Sequence, residues 1–451
     1  MLTRRCSFLL VCAAVVPAWA QTAKLDEAAI EARAKAELES TRTPGAAIGI
    51  VEEGRLIYAR GFGTRNLETG DPVTPETLFR LGSTTKMQTA AAVASLAAEG
   101  KIGFGDPVGK YISGLDPAIA ALTVNQILSH TAGLKDEAVM NGRHDDAALG
   151  EEIRRWKSDW LFTKPGAIYS YANPGFWLAG LLAESVVGKP YADVMEERVF
   201  RPVGMTWTTL RPTMAMTRTL SQGHDEVAEK MAVVRPAPDN AANWPAGSIF
   251  SNLHDLARFT TALMSEGMLD GKQVLPAKAV AAMTTPHADI PGSVAKYGYG
   301  LELDLKSDPP VWSHSGSRAG YGSSITMIPA HRTAIIVLTN RTGQNLPKTR
   351  ELIVKMVPSF LGVPDRRHWA GEPIPAAEFA KYLGVYRNGA SRQEIVARDG
   401  KLWLDGGELG RTWEGWLVLM NGRQGRVFPV AGADGRIEYL FIGERASARE
   451  K

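Results

Sequence analysis

Phe79-Arg80-Leu81-Gly82-Ser83-Thr84-Thr85-Lys86, with residues 87–98 behind it, is the stretch on which the reading of this chain turns. Gly82 and Ser83 end an extended segment. Residues 87–98 are rich in Ala, Gln, Met and Leu, strong helix formers, and Gly100 closes the run as a C-terminal cap. Ser83 therefore falls at the first turn of a buried helix. A spacing of three puts Lys86 on the same face. A serine hydroxyl becomes a nucleophile only when a base takes its proton. An amine whose pKa is lowered by burial and a neighbouring cation is such a base. The helix N-terminus adds free backbone N–H groups that suit an oxyanion formed on Ser83. Taken alone, S-x-x-K also describes an N-cap serine followed by a solvated lysine. Ser293-Val294-Ala295-Lys296 fits the pattern too. It follows Pro291-Gly292 and runs into the Gly/Tyr alternation of residues 297–300, so loop and strand are expected there.

With 451 residues and 45% apolar content, the chain can bury a large core and is expected to hold more than one domain. The net charge is +3 and the basic residues are scattered, which argues against a nucleic-acid partner or a polybasic membrane patch. Residues 1–20 read as a cleaved signal peptide: Arg4 and Arg5, an apolar stretch over 8–16, then Ala18-Trp19-Ala20. Thr3-Arg4-Arg5 before Phe8-Leu9 also hints at twin-arginine export. The apolar stretch is far short of the roughly 20 residues of a membrane span. Both cysteines, Cys6 and Cys12, lie inside the expected signal at 1–20, so the mature chain is expected to have no thiol for catalysis or metal binding. A periplasmic or secreted protein without a stable membrane span is expected.

Organisation follows from periodicity and punctuation. Residues 25–40 read as an amphipathic helix. Residues 46–51 and 55–61 read as strands around Glu53-Gly54. Helices are expected at 123–128, 176–187, 191–199 and 255–264, the last with Ser251 as N-cap. Residues 135–160 read as a lid or small helical insert over a cleft. Strands are expected at 299–305, 311–313, 323–328 and 334–339, and a helix at 352–360. Together these indicate an α/β sandwich on an antiparallel sheet. Pro358, Pro364, Pro373 and Pro375 mark a linker. Beyond it, short strands at 382–386, 394–397, 401–404, 416–420, 426–430 and 437–442 indicate a small antiparallel β-domain. The expected division is 1–20 signal, 21–362 main domain, 363–375 linker and 376–451 β-domain.

Two further patterns complete a chemistry. Tyr171-Ala172-Asn173 precedes Pro174-Gly175-Phe176 on a loop ahead of a helix, where a tyrosine can point into a cleft. A phenolate beside a lysine can act as base and then acid, and Asn173 can hold Lys86 and a substrate amide. Tyr386-Arg387-Asn388 repeats the pattern but reads as a turn. His314-Ser315-Gly316-Ser317 ends the strand begun at Val311, where a glycine lets backbone approach a ligand. The Ser317 N–H can face the same oxygen as the Ser83 N–H, and His314 is mostly neutral at pH 7.

In this order, S-x-x-K, Y-x-N and H-x-G on a late strand, the chain resembles the serine β-lactamase and penicillin-binding protein superfamily, in its class C-like branch. The resemblance covers most of residues 46–360 and includes Pro44-Gly45-Ala46-Ala47, residues 129–134 and residues 246–251. It implies the β-lactamase/transpeptidase-like fold, an antiparallel sheet flanked by helices plus an all-helical region. By it Ser83 is the acylated nucleophile, Lys86 and Tyr171 share the base role and Asn173 orients substrate. The Ser83 and Ser317 amides form the oxyanion hole beside Gly316, and His314 lines the third wall. Many β-lactamases of this group carry lysine where His314 stands. Members with histidine there include D,D-peptidases, D-aminopeptidases and esterases. Arg318 is the nearest candidate to replace the missing charge. The resemblance implies an exported serine hydrolase acting on a small-molecule or peptide substrate through a Ser83 acyl-enzyme, with no metal or cofactor. Alternatives are a carboxylesterase on the same fold and a penicillin-binding sensor without turnover. An α/β-hydrolase is disfavoured, since there is no G-x-S-x-G elbow, and a zinc hydrolase, since there is no H-E-x-x-H.

Overall fold

Residues 46–51 are apolar at every position because the strand they form is covered on both faces. Ala46, Ile48 and Ile50 pack on one side with Ile335 and Val337, while Ala47 and Val51 pack on the other with Ile336 and Leu338. The computed structural model describes residues 25–137, 139–356, 371–412, 415–420 and 426–450. The expected signal segment with Cys6 and Cys12, residues 357–360 of the expected helix and 363–370 of the expected linker lie outside these.

Eight antiparallel strands form the main sheet: β1 (Gly45–Glu52), β2 (Arg55–Gly63), β3 (Ala288–Asp289), β4 (Lys296–Tyr297), β5 (Glu302–Asp304), β6 (Val311–Arg318), β7 (Tyr321–Ile328) and β8 (Thr333–Thr339). Their spatial order is β2-β1-β8-β7-β6-β5-β4-β3. Helices α1 (Glu27–Ser40) and α5 (Pro347–Met356) cover the outer face with Ile30, Ala34, Leu38 and Ile353. On the inner face lie α2 (Thr85–Ala98), α3 (Asn173–Val187) and α4 (Leu253–Met264). Helix α2 is buried along nearly its whole length, which explains its many small apolar residues, with Lys86, Gln88 and Thr89 among the polar ones buried with them.

Several local expectations are corrected. Asn252 caps α4 through its side chain, because Ser251 is taken up by a strand pair with Phe79. The histidine motif lies inside β6 and not at its end, since β6 runs five residues further along β7. Of the strand expected at 299–305 only Glu302–Asp304 is extended. The 135–160 insert, expected as a lid or small helical insert, does carry helical structure among its described residues, an α-helix at Ala148–Arg154 and a 3₁₀ turn at Ser158–Trp160.

The C-terminal strands are β9 (Gly384–Asn388), β10 (Ser391–Arg398), β11 (Lys401–Leu404), β12 (Gly407–Arg411), β13 (Leu417–Leu419), β14 (Arg426–Ala431), β15 (Ile437–Ile442) and β16 (Arg445–Arg449). Each pairs with the next, and β9 pairs with β16, so the meander closes into an antiparallel barrel. Tyr386-Arg387-Asn388, read from sequence as a turn, is part of β9, and Tyr386 is buried in the barrel core. The barrel docks on the main domain through Phe441 and Ala446, which pack with Ile168, Tyr169, Tyr171 and Tyr297. Among the described residues no helix is long and apolar enough to cross a membrane.

Candidate active site

Ser83 sits on a single 3₁₀ turn, Gly82–Thr84, that runs straight into α2. Strand β6 is pressed against that turn. A Cβ on Gly82, whose φ is +57°, would lie 2.8 Å from the Ser317 nitrogen. A Cβ on Gly316 would lie 2.1 Å from the Leu81 carbonyl oxygen and 2.9 Å from the Ser83 nitrogen. Only glycine permits this approach at either position. It sets the backbone of Ser83 beside that of Ser317, and both residues line the same cleft.

Lys86 is fully buried, one turn along α2. Its ammonium nitrogen lies 3.2 Å from Ser83 Oγ, 2.7 Å from Asn173 Oδ1 and 2.8 Å from the Ala246 carbonyl. Burial pushes its pKa down to about 7, against the attraction of Asp136 and with help from Arg445. The decoy Lys296 instead pairs with Asp289 at the edge of the sheet.

Tyr171 lies on the loop before α3, and its ring centroid is 4.8 Å from Lys86 Nζ. Its hydroxyl is close enough to Ser83 for that side chain to favour ionisation. No partner meets it with good hydrogen-bond geometry. Burial is the larger effect and pushes the phenol well above its ordinary value. The expected phenolate is therefore disfavoured, and the neutral phenol is the resting form. Asn173 begins α3, with Pro174 in the first turn where its missing N–H costs nothing. Its Oδ1 faces Lys86, while its Nδ2 and backbone N–H both donate to Asp136 Oδ1, at 3.0 and 2.8 Å.

His314 belongs to a directional hydrogen-bond chain. Ala172 donates its N–H to His130 Nδ1 at 3.1 Å, so that nitrogen is bare. The His130 proton then sits on Nε2, which donates to the Tyr297 hydroxyl at 3.2 Å. His314 Nδ1 lies 2.6 Å from the Ser315 carbonyl and carries a proton. Its bare Nε2 accepts the Tyr297 hydroxyl proton at 3.2 Å. These tautomers follow from the network. Burial, reinforced by Lys86, pushes both imidazoles down, His314 to about 3. The third wall is thus neutral, with both imidazole nitrogens engaged. His130 also lies against Tyr171, ring centroids 4.3 Å apart.

Arg318 lies one residue beyond Ser317 and turns its guanidinium into a buried cluster. Arg80 and Arg318 share the carboxylate of Asp239, and both donate to the Pro238 carbonyl. Asp239 also accepts from His144, and against its burial the Arg80 and Arg318 guanidiniums and these hydrogen bonds hold it below its usual range.

Ser83, Tyr171, Asn173, His314, Ser317 and Arg318 line one cavity of about 350 Å³, and Lys86 and Gly316 stand directly behind it. Met140, from the 135–160 insert, lines it as well. So do Glu444 and Arg445, from the β15–β16 turn of the barrel. The sequence reading missed these two together with Asp136, His130 and Tyr297. Strand β16 was not anticipated, and the signal for it was the turn pair Gly443-Glu444 after an apolar strand.

The sequence model of the family described as Beta-lactamase matches residues 30–355. Among similar proteins, Unguisins hydrolase ungD' of Aspergillus campestris is 28% identical over 419 residues, 81% of this chain and 76% of that protein. Protein flp of Staphylococcus aureus (strain MW2) is 24% identical over 327 residues, 70% of this chain, and the match spans only 63% of its length. Among solved structures, SurE superposes with a TM-score of 0.77 at 24% identity, covering 94% of this chain and 99% of that one. A class C beta-lactamase gives a TM-score of 0.62 at 20% identity, covering 76% of this chain and 99% of that one.

Proposed function

The chain belongs to the beta-lactamase family, and from that membership we propose that it is an exported serine hydrolase whose Ser83 is acylated and then released by water. The observation that carries the reading is the fully buried Lys86 amine 3.2 Å from the Ser83 hydroxyl, with its pKa pushed down to about 7. An amine that is about half neutral at pH 7 takes the Ser83 proton as Oγ attacks a substrate carbonyl. Charge then develops on the carbonyl oxygen, and the Ser83 and Ser317 amides are the donors proposed to meet it. The departing amine or alkoxide takes its proton from Lys86, with the neutral Tyr171 phenol beside Ser83 as the relay. Water repeats the sequence in reverse on the acyl-enzyme.

The neutral His314 shapes the substrate reading. An imidazole whose two nitrogens are already engaged offers no fixed positive charge to a substrate carboxylate. Amide or ester substrates of the D,D-peptidase, D-aminopeptidase or esterase kind are therefore favoured over efficient β-lactam turnover. The name of the Aspergillus relative also speaks for hydrolysis. Export rests on residues 1–20, and the division at 363–375 belongs to the same proposal.

The test is to incubate the protein with a fluorophosphonate probe, a chromogenic cephalosporin, p-nitrophenyl esters and D-aminoacyl p-nitroanilides, and to locate any adduct by mass. The reading expects a Ser83 adduct, turnover of esters or anilides, and little cephalosporin turnover. Full hydrolysis by Ser83→Ala would overturn it. Export is tested by fractionation and by an N-terminus beginning at Gln21.

A further inference from the structure

Arg445 is the first residue of β16, and it reaches out of the barrel to Asp136. Its Nε lies 2.8 Å and its Nη2 2.5 Å from Asp136 Oδ2. The other carboxylate oxygen, Oδ1, takes both donors of Asn173. A carboxylate only accepts, so the Asn173 amide must present its Nδ2 to Asp136 and its oxygen to Lys86. A continuous chain therefore runs from the barrel to the buried amine: Arg445, Asp136, Asn173, Lys86.

The neighbours of Arg445 are tied to the same region. Tyr171 donates its backbone N–H to the Glu444 carbonyl at 2.9 Å, and Ala446 donates to Ser170 Oγ at 3.1 Å. Glu444 has a φ of +70° at the second position of a two-residue turn, where glycine or asparagine is usual. A strained backbone that persists is held by its surroundings, here by the loop carrying Tyr171. The Arg445 guanidinium also stands 5.3 Å from the Tyr171 ring centroid.

We propose that Arg445 is a positioning residue of the hydrolytic site: through Asp136 and Asn173 it orients the Lys86 amine, which makes the barrel part of the hydrolytic apparatus. The inference rests on the reading of Lys86 as the base for Ser83. Its electrostatic consequence has a definite sign. The ionised or polar groups facing Lys86 are Asp136, Glu444 and Arg445, with Ser83, Tyr171, Asn173 and the imidazoles His130 and His314 around them. Asp136 and Glu444 favour the ammonium, whereas Arg445 opposes it. Removing Arg445 leaves Asp136 unpaired and draws a proton onto Lys86. Removing the Asp136 charge does the reverse.

The experiment measures fluorophosphonate labelling of Ser83 as a function of pH, in the full chain, for wild type, Arg445→Gln, Arg445→Lys and Asp136→Asn. Labelling requires no knowledge of the natural substrate. Arg445→Gln is expected to move the acid limb of the profile upward by about one unit, roughly a tenfold loss at pH 6. Asp136→Asn is expected to move it downward, and Arg445→Lys to return most of the shift. Purely structural damage would lower the rate of both variants without opposite displacements. If Arg445→Gln does not fold, Arg445→Lys and Asp136→Asn still carry the test. Labelling of Ser83 with limbs unmoved in every folded variant would overturn the proposal and leave the hydrolase reading standing. Failure of wild type to label would overturn the hydrolase reading, and this inference with it.

Discussion

The hydroxyl of Tyr297 lies 3.2 Å from Nε2 of His314 and fixes which nitrogen of that imidazole is bare. Because the same hydroxyl accepts from His130, one phenol satisfies two buried rings. Tyr297→Phe leaves both nitrogens without a partner in a buried site. Each orphaned group costs about 1–3 kcal/mol, so a clear fall in melting temperature is expected. In wild type, His314 should show no titration between pH 5 and 8 by NMR of its ring. The sign of the linkage follows. Its folded pKa is depressed below the unfolded value, so its stabilising effect is full above about 6.5 and is lost as pH falls towards about 3.

Lys86 sets the acid limb. The neutral amine is the active form, so kcat/KM on any turned-over ester should fall about tenfold per pH unit below about 7. Lys86→Arg keeps a permanent charge and should cost at least about 10²-fold in Ser83 labelling. A profile flat down to pH 5 would contradict this assignment.

Gly316→Ala tests the close approach of β6. The added methyl meets the Leu81 carbonyl oxygen at 2.1 Å, a backbone atom that cannot swing aside. Overpacking of this kind costs about 1–3 kcal/mol, and the turn carrying Ser83 has to shift. A lowered melting temperature together with a large drop in labelling is expected. Wild-type labelling in this variant would show that the spacing between the two amides is unimportant.

Asp239→Asn removes the one carboxylate shared by Arg80 and Arg318. Two buried guanidiniums then face each other uncompensated. Breaking a buried pair in this way costs about 3–5 kcal/mol by chemical denaturation. Its depressed pKa gives the pH sense: the contribution is present above the usual carboxylate value and disappears as pH falls below it.

Phe441→Ala tests the docking of the barrel. Phe441 is buried against Tyr169, with Tyr171 and Tyr297 in the same cluster. Truncation should destabilise the protein by about 3 kcal/mol and slow Ser83 labelling, because the loop carrying Tyr171 loses its support. A purely thermal effect with unchanged labelling would mean that the barrel contact does not reach the site.

Much of the molecule was legible locally. Residues 46–51 announced a strand, because apolar side chains on both faces pack only in a covered sheet. Ser83 and Lys86 announced a shared helix face through a spacing of three. Other positions misled because tertiary pairing overrode local signals. Ser251 looked like a helix cap until Phe79 paired with it, and Tyr386-Arg387-Asn388 looked like a turn until β16 paired with it. Strand β16, with Arg445 and two other charged or polar alternations in Arg445-Ala446-Ser447-Ala448-Arg449, is too short and too polar to stand out in a window of sequence.

The sequence by itself determined which side chains were available and how those within one turn of a helix would align, since helical geometry is a local property of the chain. It also determined that the mature protein would work without a thiol, if the first twenty residues are removed. Only the tertiary structure decided the protonation of those side chains. Lys86 is driven toward its neutral form by burial beneath residues distant in the chain, among them Tyr171, Phe176 and Ala246, and His314 is neutral because burial, reinforced by Lys86, pushes its pKa down. The contact between Asp136 and Arg445 spans 309 positions, and no periodicity encodes an approach of that separation. Proton affinity depends on solvent exclusion and on charges a few ångströms away, and both exist only once the chain has closed around them.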